Sequence, residues 1–216
     1  MTFRYKQQLK YLRYAGRAFA HDVRNTVKYG SQAPKFGERI YVTLSDELEV
    51  VSAQKEQLYG QVLDSWPPPG FRKFSKFTET EPFGSCVQHW EGGVPWEATR
   101  QFRILERKIH ERGYSAGCRN VGDLLARYAA LDNIFELMRR QRRLAPCAEY
   151  NQWCFRETEG VVFDVGPGGK CFFAKKGQHR LSMAIILGIR SVPAALGGIY
   201  IGSLPLLGRL RSNRAG

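Results

Sequence analysis

With 216 residues, 43% of them hydrophobic and 12% aromatic, the chain is long enough to bury one substantial core, or one core with an added subdomain, and too apolar to stay unfolded. No apolar run reaches the ~20 residues that cross a bilayer as a helix, and the first 22 residues lack the uninterrupted apolar region of a signal peptide, so a cytoplasmic protein is expected. The formal net charge of +13 sits at the two ends: seven Lys or Arg against one Asp in residues 1–30, eight against no acid in 165–216, and 18 against 19 in between. Basic ends of this kind suit a polyanion, which points to nucleic acid, an anionic membrane face or a phosphorylated substrate.

Residues 1–30 read as a basic amphipathic helix. Phe3, Leu9, Leu12, Ala15, Phe19 and Val23 approximate an apolar stripe, Tyr5, Tyr11 and Tyr14 flank it, and Lys and Arg fill the other side. Such a helix either docks on the domain with its basic face in solvent, or meets a membrane surface or nucleic acid, since aromatic and basic residues suit both. Ser31–Gly37 is a turn-rich link, and Arg39–Leu44 reads as a strand entering the main domain. Asp46–Val51 is ambiguous. The segment onward to Phe83 alternates aromatic residues with Pro, Gly and charge, including Trp66-Pro67-Pro68-Pro69-Gly70, and reads as an irregular connection or lid carrying short strands.

Trp90–Thr99 leads into a helix from about Trp96 to Arg112, with Phe102, Leu105 and Ile109 on one face and Gly113 as its stop. Val121–Arg140 forms a second helix, whose apolar side is Leu124, Leu125, Tyr128, Leu131, Ile134, Phe135 and Met138. The run Arg139-Arg140-Gln141-Arg142-Arg143 closes it and complements its dipole. Helical spacing also puts Tyr128 and Asp132 on one face, with Arg127 to one side.

Val161–Val165 is a short β-branched and aromatic run, Gly166-Pro167-Gly168-Gly169 is dense in turn residues, and Lys170–Ala174 is a second run; together they predict a hairpin. A helix follows, with Leu181, Ala184 and Ile185 at helical spacing and Gly188 as its C-terminal cap, and then a strand over Val192–Leu196. Gly177 precedes the first turn Gln178-His179-Arg180. Free N–H groups at a helix start favour an anion, and glycine lets a phosphate approach the backbone. Arg180 would add a bidentate fork, His179 a directed donor, and Lys175 and Lys176 a positive field. Tyr200–Gly216 reads as a poorly ordered basic tail.

The succession of strand, turn, strand, Gly-x-His-Arg helix and Val-Pro strand resembles the nucleotide-binding half of the ParB/sulfiredoxin-like superfamily. The likeness extends upstream over Trp90–Thr99, Arg127–Asp132 and Asn151–Cys154, segments similar to a ParB-like branch found in bacteria, archaea and phages. The resemblance implies an α+β fold: a ParB/sulfiredoxin-like domain over 38–200, a helical insertion over 96–143, a basic helix over 1–30 and a basic tail over 201–216. It also implies that Gly177, His179 and Arg180 hold nucleotide phosphates. Lys176 stands where the family's motif carries an Asp, and Gln178 stands where sulfiredoxin carries its nucleophilic cysteine, so sulfiredoxin chemistry is not expected.

The expected function is a nucleotide-binding protein, an ATP-dependent phosphotransferase (kinase) acting on a small hydroxylated substrate. ATP or another nucleotide, with Mg²⁺, would be the cofactor. Lys175, Lys176, Gly177, Gln178, His179 and Arg180 would bind phosphate, and a carboxylate, Glu97 or Asp132, would activate the acceptor hydroxyl. Glu157, Glu159 and Asp164 are further carboxylates beside the hairpin. The alternative is a non-enzymatic DNA- or RNA-binding module of phage or plasmid type that grips backbone phosphates with both basic ends. A third expectation places the protein at an anionic membrane surface through residues 1–29. Five cysteines form an odd set without a C-x-x-C pair, so reduced thiols are expected; Cys147 and Cys154 lack the spacing of a zinc knuckle, and no metal site is predicted. Serine-hydrolase, Walker and zinc-protease motifs are absent from the sequence.

Overall fold

The computed structural model describes residues 3–52, 58–68, 70–71 and 73–212. The chain forms an α+β protein of two compact units, one comprising Met1–Lys76, Ala145–Gly177 and Arg190–Gly216, the other Phe77–Leu144 and Gln178–Ile189. The helical part therefore begins at Phe77 rather than at residue 96, and takes in the helix after Gly177.

The first unit is built on a mixed sheet. Its strands in chain order are β1 (Arg39–Thr43), β2 (Glu49–Ser52), β3 (Gln61–Leu63), β4 (Lys73–Lys76), β5 (Val161–Val165), β6 (Cys171–Phe173) and β7 (Ser191–Tyr200). In space they run β1-β7-β5-β6-β2-β4, with β3 on the far half of β7. β7 is the organising strand: antiparallel to β1 with Arg39 opposite Ala195, parallel to β5 with Val161 opposite Ala194, and parallel to β3 with Gln61 opposite Gly198. Every residue of β5 is buried, as expected of a strand covered on both faces. The β5–β6 hairpin turns at Gly166–Lys170 as predicted; Gly168 and Gly169 both have left-handed φ, and the Ser203 hydroxyl pins the turn by donating to Gly166 O at 2.7 Å.

β5 bulges against β7. Phe163 lies opposite Leu196 and Val165 opposite Ile199, so Gly197 and Gly198 share Asp164 as their counterpart. The bulge removes a ladder partner from Gly198, and its N–H donates instead to Asp164 Oδ1 at 2.6 Å. Asp164 is buried, and that burial pushes its carboxyl from 3.8 up to about 7.

Helix α1 (Phe3–Tyr29) docks on this unit with its polar and aromatic side; Lys10, Arg13, Arg17, Arg24 and Lys28 face solvent, as expected of a docked helix, but so do Leu9, Leu12, Phe19 and Val23 of the apolar stripe that was expected to be covered. Ala18 and Asn25 are buried; Asn25 donates to Pro34 O (2.8 Å) and Gly60 O (3.0 Å), and Asp22 accepts from Phe36 N–H (2.7 Å) and Arg156 (2.7 Å). Tyr11 packs edge-on against Phe155, and Tyr14 against Tyr59. Hydrogen bonds and rings hold the helix, so its aliphatic residues were not needed there.

Two sequence expectations are corrected in this unit. Residues 201–212 are not a loose tail: a 3-10 turn (Ile201–Leu206) packs on the β5–β6 turn and β7, helix α7 (Leu207–Ser212) packs on β1, and Arg211 grips Glu38 through two nitrogens at 2.9 and 3.0 Å while also donating to Ala33 O at 2.9 Å. Residues 213–216 of the expected tail lie outside the described residues. Cys147 and Cys154 are not reduced thiols but a disulfide, with Cα atoms 6.0 Å apart. The short helix α5 (Cys147–Tyr150) turns the chain back, and Glu157 fixes the start of that loop by accepting from Cys147 N–H at 2.7 Å.

The second unit is helical: a 3-10 turn (Phe77–Glu79), α2 (Glu81–Trp90), a 3-10 turn (Trp96–Ala98), α3 (Arg100–Arg112), α4 (Val121–Gln141) and α6 (Gln178–Ile186). Asn120 caps α4 by accepting from Asp123 N–H at 2.8 Å, while Asp123 accepts from Arg119 N–H at 2.9 Å. Gly113 ends α3 in the left-handed conformation. The core gathers Cys86, Trp96, Phe102, Leu105, Ile109, Leu124 and Tyr128.

Candidate functional site

Within the helical unit, α4 presents Asp132 to three ring N–H groups at once. Its Oδ1 faces His89 Nε2 at 3.1 Å, Trp90 Nε1 at 3.0 Å and Trp96 Nε1 at 3.0 Å; its Oδ2 has only a second, 3.2 Å approach from Trp96 Nε1. Indole N–H can only donate, so Oδ1 is committed as an acceptor and any proton the carboxyl exchanges moves through Oδ2. The Asp132 side chain is 39% exposed.

Stacking fixes the donors. Trp90 lies flat on Phe135, centroids 4.5 Å apart and planes 2° from parallel; His89 stacks on Trp96 at 4.0 Å; the two indoles meet edge to face at 5.2 Å. His89 Nδ1 sits 2.7 Å from Val94 O, so both ring nitrogens face acceptors and both bonds are made when both carry a proton. The result is a carboxylate whose orientation is set before anything binds.

One helical turn back on α4, the Tyr128 ring joins this cradle to the start of α6. It packs on Trp96 at 4.5 Å and meets the His179 ring at 5.8 Å, planes at 88°. The Tyr128 hydroxyl is buried without a hydrogen-bond partner among the described residues, and burial raises its ionisation well above the ordinary range for tyrosine. Burial, and after it the positive charge of Arg127, lowers His179 to about 4. At neutral pH His179 is therefore an uncharged, directed hydrogen-bonding group rather than a cation.

The remaining residues singled out from sequence fall as follows. Gln178, His179 and Arg180 form the half-buried first turn of α6, and Gln178 O accepts from the Ser182 hydroxyl at 3.0 Å. Glu97 is exposed in the 3-10 turn beside Trp96 and is not part of the cradle. In the sheet unit, Gly177 has φ +84°, and a Cβ there would come within 2.7 Å of the Val161 Cα, so packing against β5 by itself demands glycine. Lys176 Nζ turns to Thr158 O (2.6 Å) and the Tyr59 hydroxyl (3.0 Å), with Glu159 at 3.6 Å. Lys175 is exposed with φ +59°. Glu157 is likewise engaged, by Arg39 at 2.8 Å and by Cys147 N–H. Among the described residues no group of three or more His, Cys, Asp or Glu could hold a metal ion.

His89, Trp90 and Trp96 were not identified as site residues from sequence. The available signal was density: two of the four tryptophans and one of the four histidines lie within eight residues. Comparison with known proteins finds no family model that matches the chain, and no curated protein or solved structure that matches it.

Proposed function

We propose that the chain binds a nucleotide, ATP or another, by its phosphates at the start of α6, and transfers a phosphoryl group to a small hydroxylated acceptor with Asp132 as the base. The observation that carries this reading is the Asp132 cradle, whose Oδ1 accepts from three ring donors while Oδ2 has only the longer approach of Trp96 Nε1. The acceptor proton would pass to Oδ2 as the acceptor oxygen bonds to the terminal phosphorus and the bond to the bridging oxygen breaks, releasing the nucleoside diphosphate. Positioning and charge neutralisation dominate such a reaction. The α6 N–H groups and Arg180 would supply the anion contacts, neutral His179 a directed donor, and Arg127 a nearby positive charge. Mg²⁺ accompanying the nucleotide would contribute further neutralisation. The nucleic-acid reading is weakened at the C-terminal end, because Arg211 is spent on Glu38.

Calorimetric titration with ATP, ADP, CTP and GTP, with and without Mg²⁺, tests the first step. Arg180→Lys keeps the charge and loses the planar fork, and should weaken binding by about 1–3 kcal/mol, while Arg190→Lys, outside the helical unit, should change little. Asp132→Asn should bind nucleotide like the parent and lose turnover. No heat with any nucleotide refutes the reading; an unfolded Arg180→Lys variant, judged by circular dichroism, would make that residue structural.

A further inference from the structure

The outward face of α1 carries a surface that the fold leaves uncovered. Leu9 (45% exposed), Leu12 (65%), Phe19 (74%), Val23 (49%) and Val27 (83%) recur at helical spacing along one side, and Gly16, in the same line, faces open space. From Leu9 to Val27 the line runs about 27 Å at the helical rise of ~1.5 Å per residue. Large apolar residues scattered singly on a surface mean little, but five in one row on one helix form a contiguous patch.

A second row accompanies the first. Lys10, Arg13, Arg17, Arg24 and Lys28 each follow a member of the apolar line, Gly16 included, by one residue, which places them about 100° round the helix, between the apolar line and the docked side. All five are exposed. Asp22, the acidic residue of this helix, is turned inward onto Phe36 N–H and Arg156, so no carboxylate from α1 offsets the row. Lys10 pairs with Glu159 at 3.0 Å and remains half exposed.

We infer that this face of α1 seats the protein on an anionic lipid bilayer, the apolar line entering the boundary between headgroups and acyl chains and the basic row meeting lipid phosphates and carboxylates. A helix lying in the membrane plane needs these two adjacent stripes: apolar area for depth and cations for the charged surface. The opposite side of α1 is already fastened to the sheet unit by Asn25, Asp22, Tyr11 and Tyr14, so the helix would dock without leaving the fold. A phosphate backbone offers nothing to five aligned aliphatic and aromatic side chains. A second copy paired along the same line would bring two basic rows together.

Cosedimentation of the full chain with phosphatidylcholine vesicles, with and without phosphatidylserine, tests this. Binding is expected to the phosphatidylserine vesicles and to fall as salt rises from about 0.1 to 0.5 M, since screening shortens the reach of the basic row. Phe19→Ser and Leu12→Ser should each weaken partitioning about tenfold, the scale of withdrawing one such side chain from the interface, with an unchanged circular dichroism spectrum because both are exposed. Arg13→Gln with Arg17→Gln should weaken binding at low salt and matter less at high salt. The inference is overturned if the parent does not bind phosphatidylserine vesicles or if Phe19→Ser and Leu12→Ser bind like the parent. A dimer by light scattering that Phe19→Ser dissociates, without vesicle binding, would assign the face to a second copy and also overturn it. So would binding of duplex DNA or RNA that needs Arg13 and Arg17 but not Phe19, again without vesicle binding.

Discussion

Asp164 gives the sharpest stability prediction. In the unfolded chain its carboxyl should titrate near 3.8; in the folded sheet, burial carries it to about 7, against a single opposing hydrogen bond from Gly198 N–H. The folded protein therefore keeps a proton that the unfolded chain releases between those values. Stability contributed by this site is complete below pH 3.8 and is lost as pH rises through about 7. At about 1.4 kcal/mol for each tenfold change in proton activity, the whole interval amounts to about 4 kcal/mol, of which roughly 3 falls between pH 5 and pH 8. Asp164→Asn keeps an oxygen in place for Gly198 N–H and cannot ionise. Urea unfolding of parent and variant at pH 5, 6, 7 and 8 should show the variant gaining about 3 kcal/mol on the parent across that range. Curves that stay parallel within about 0.5 kcal/mol would refute the assignment, and with it the idea that the bulge is held by a largely protonated acid.

The clamp at the C-terminal end predicts that Arg211→Met lowers stability by about 2–3 kcal/mol, because Glu38 is left buried without its three charge-assisted bonds; adding Glu38→Gln should restore part of the loss in the same denaturation assay. The Cys147–Cys154 disulfide predicts that alkylation of the unreduced, denatured chain modifies three of the five cysteines, Cys86, Cys118 and Cys171. Reduction should cost about 2.5 kcal/mol, the chain-entropy value for so short a loop, and mass spectrometry with a paired melt reads both quantities.

Regular local patterns carried most of what was legible in the sequence. The Val161–Ala174 hairpin, the strand at Arg39, the α4 helix and the Gly188 stop after α6 each announce themselves by periodicity or by a residue with a conformational role. Helix α2 did not, because Glu-Pro-Phe-Gly-Ser-Cys-Val interrupts the apolar spacing with Gly84 and begins among aromatic and proline residues that read as a loop. The apolar line of α1 was legible, but its direction was not: which side of the helix docks depends on Asn25 finding Pro34 O and Gly60 O, acceptors 9 and 35 residues away. The candidate site divides in the same manner. Asp132 could be singled out with Tyr128 from helical spacing, whereas the three donors converging on it come from two other segments, and no periodicity records that convergence. That Lys176 is a cation beside the motif was legible, whereas its bond to the Thr158 carbonyl was not.

The position of β7 in the chain has a consequence for how the protein is made. The strand that β1, β3 and β5 all pair with is, among the described strands, the last to leave the ribosome, and the partner of Arg39 arrives more than 150 residues later, at Ala195. Until residues 191–200 have emerged, β1 and β3 have no ladder to join, and the apolar faces of the sheet unit must wait in a partly assembled state. Contacts of such high order slow folding and lengthen the exposure of unpaired edges. A chain released early, or truncated before Ser191, would hold all the residues of the Asp132 cradle and of the α6 first turn while lacking the strand on which the sheet unit is assembled.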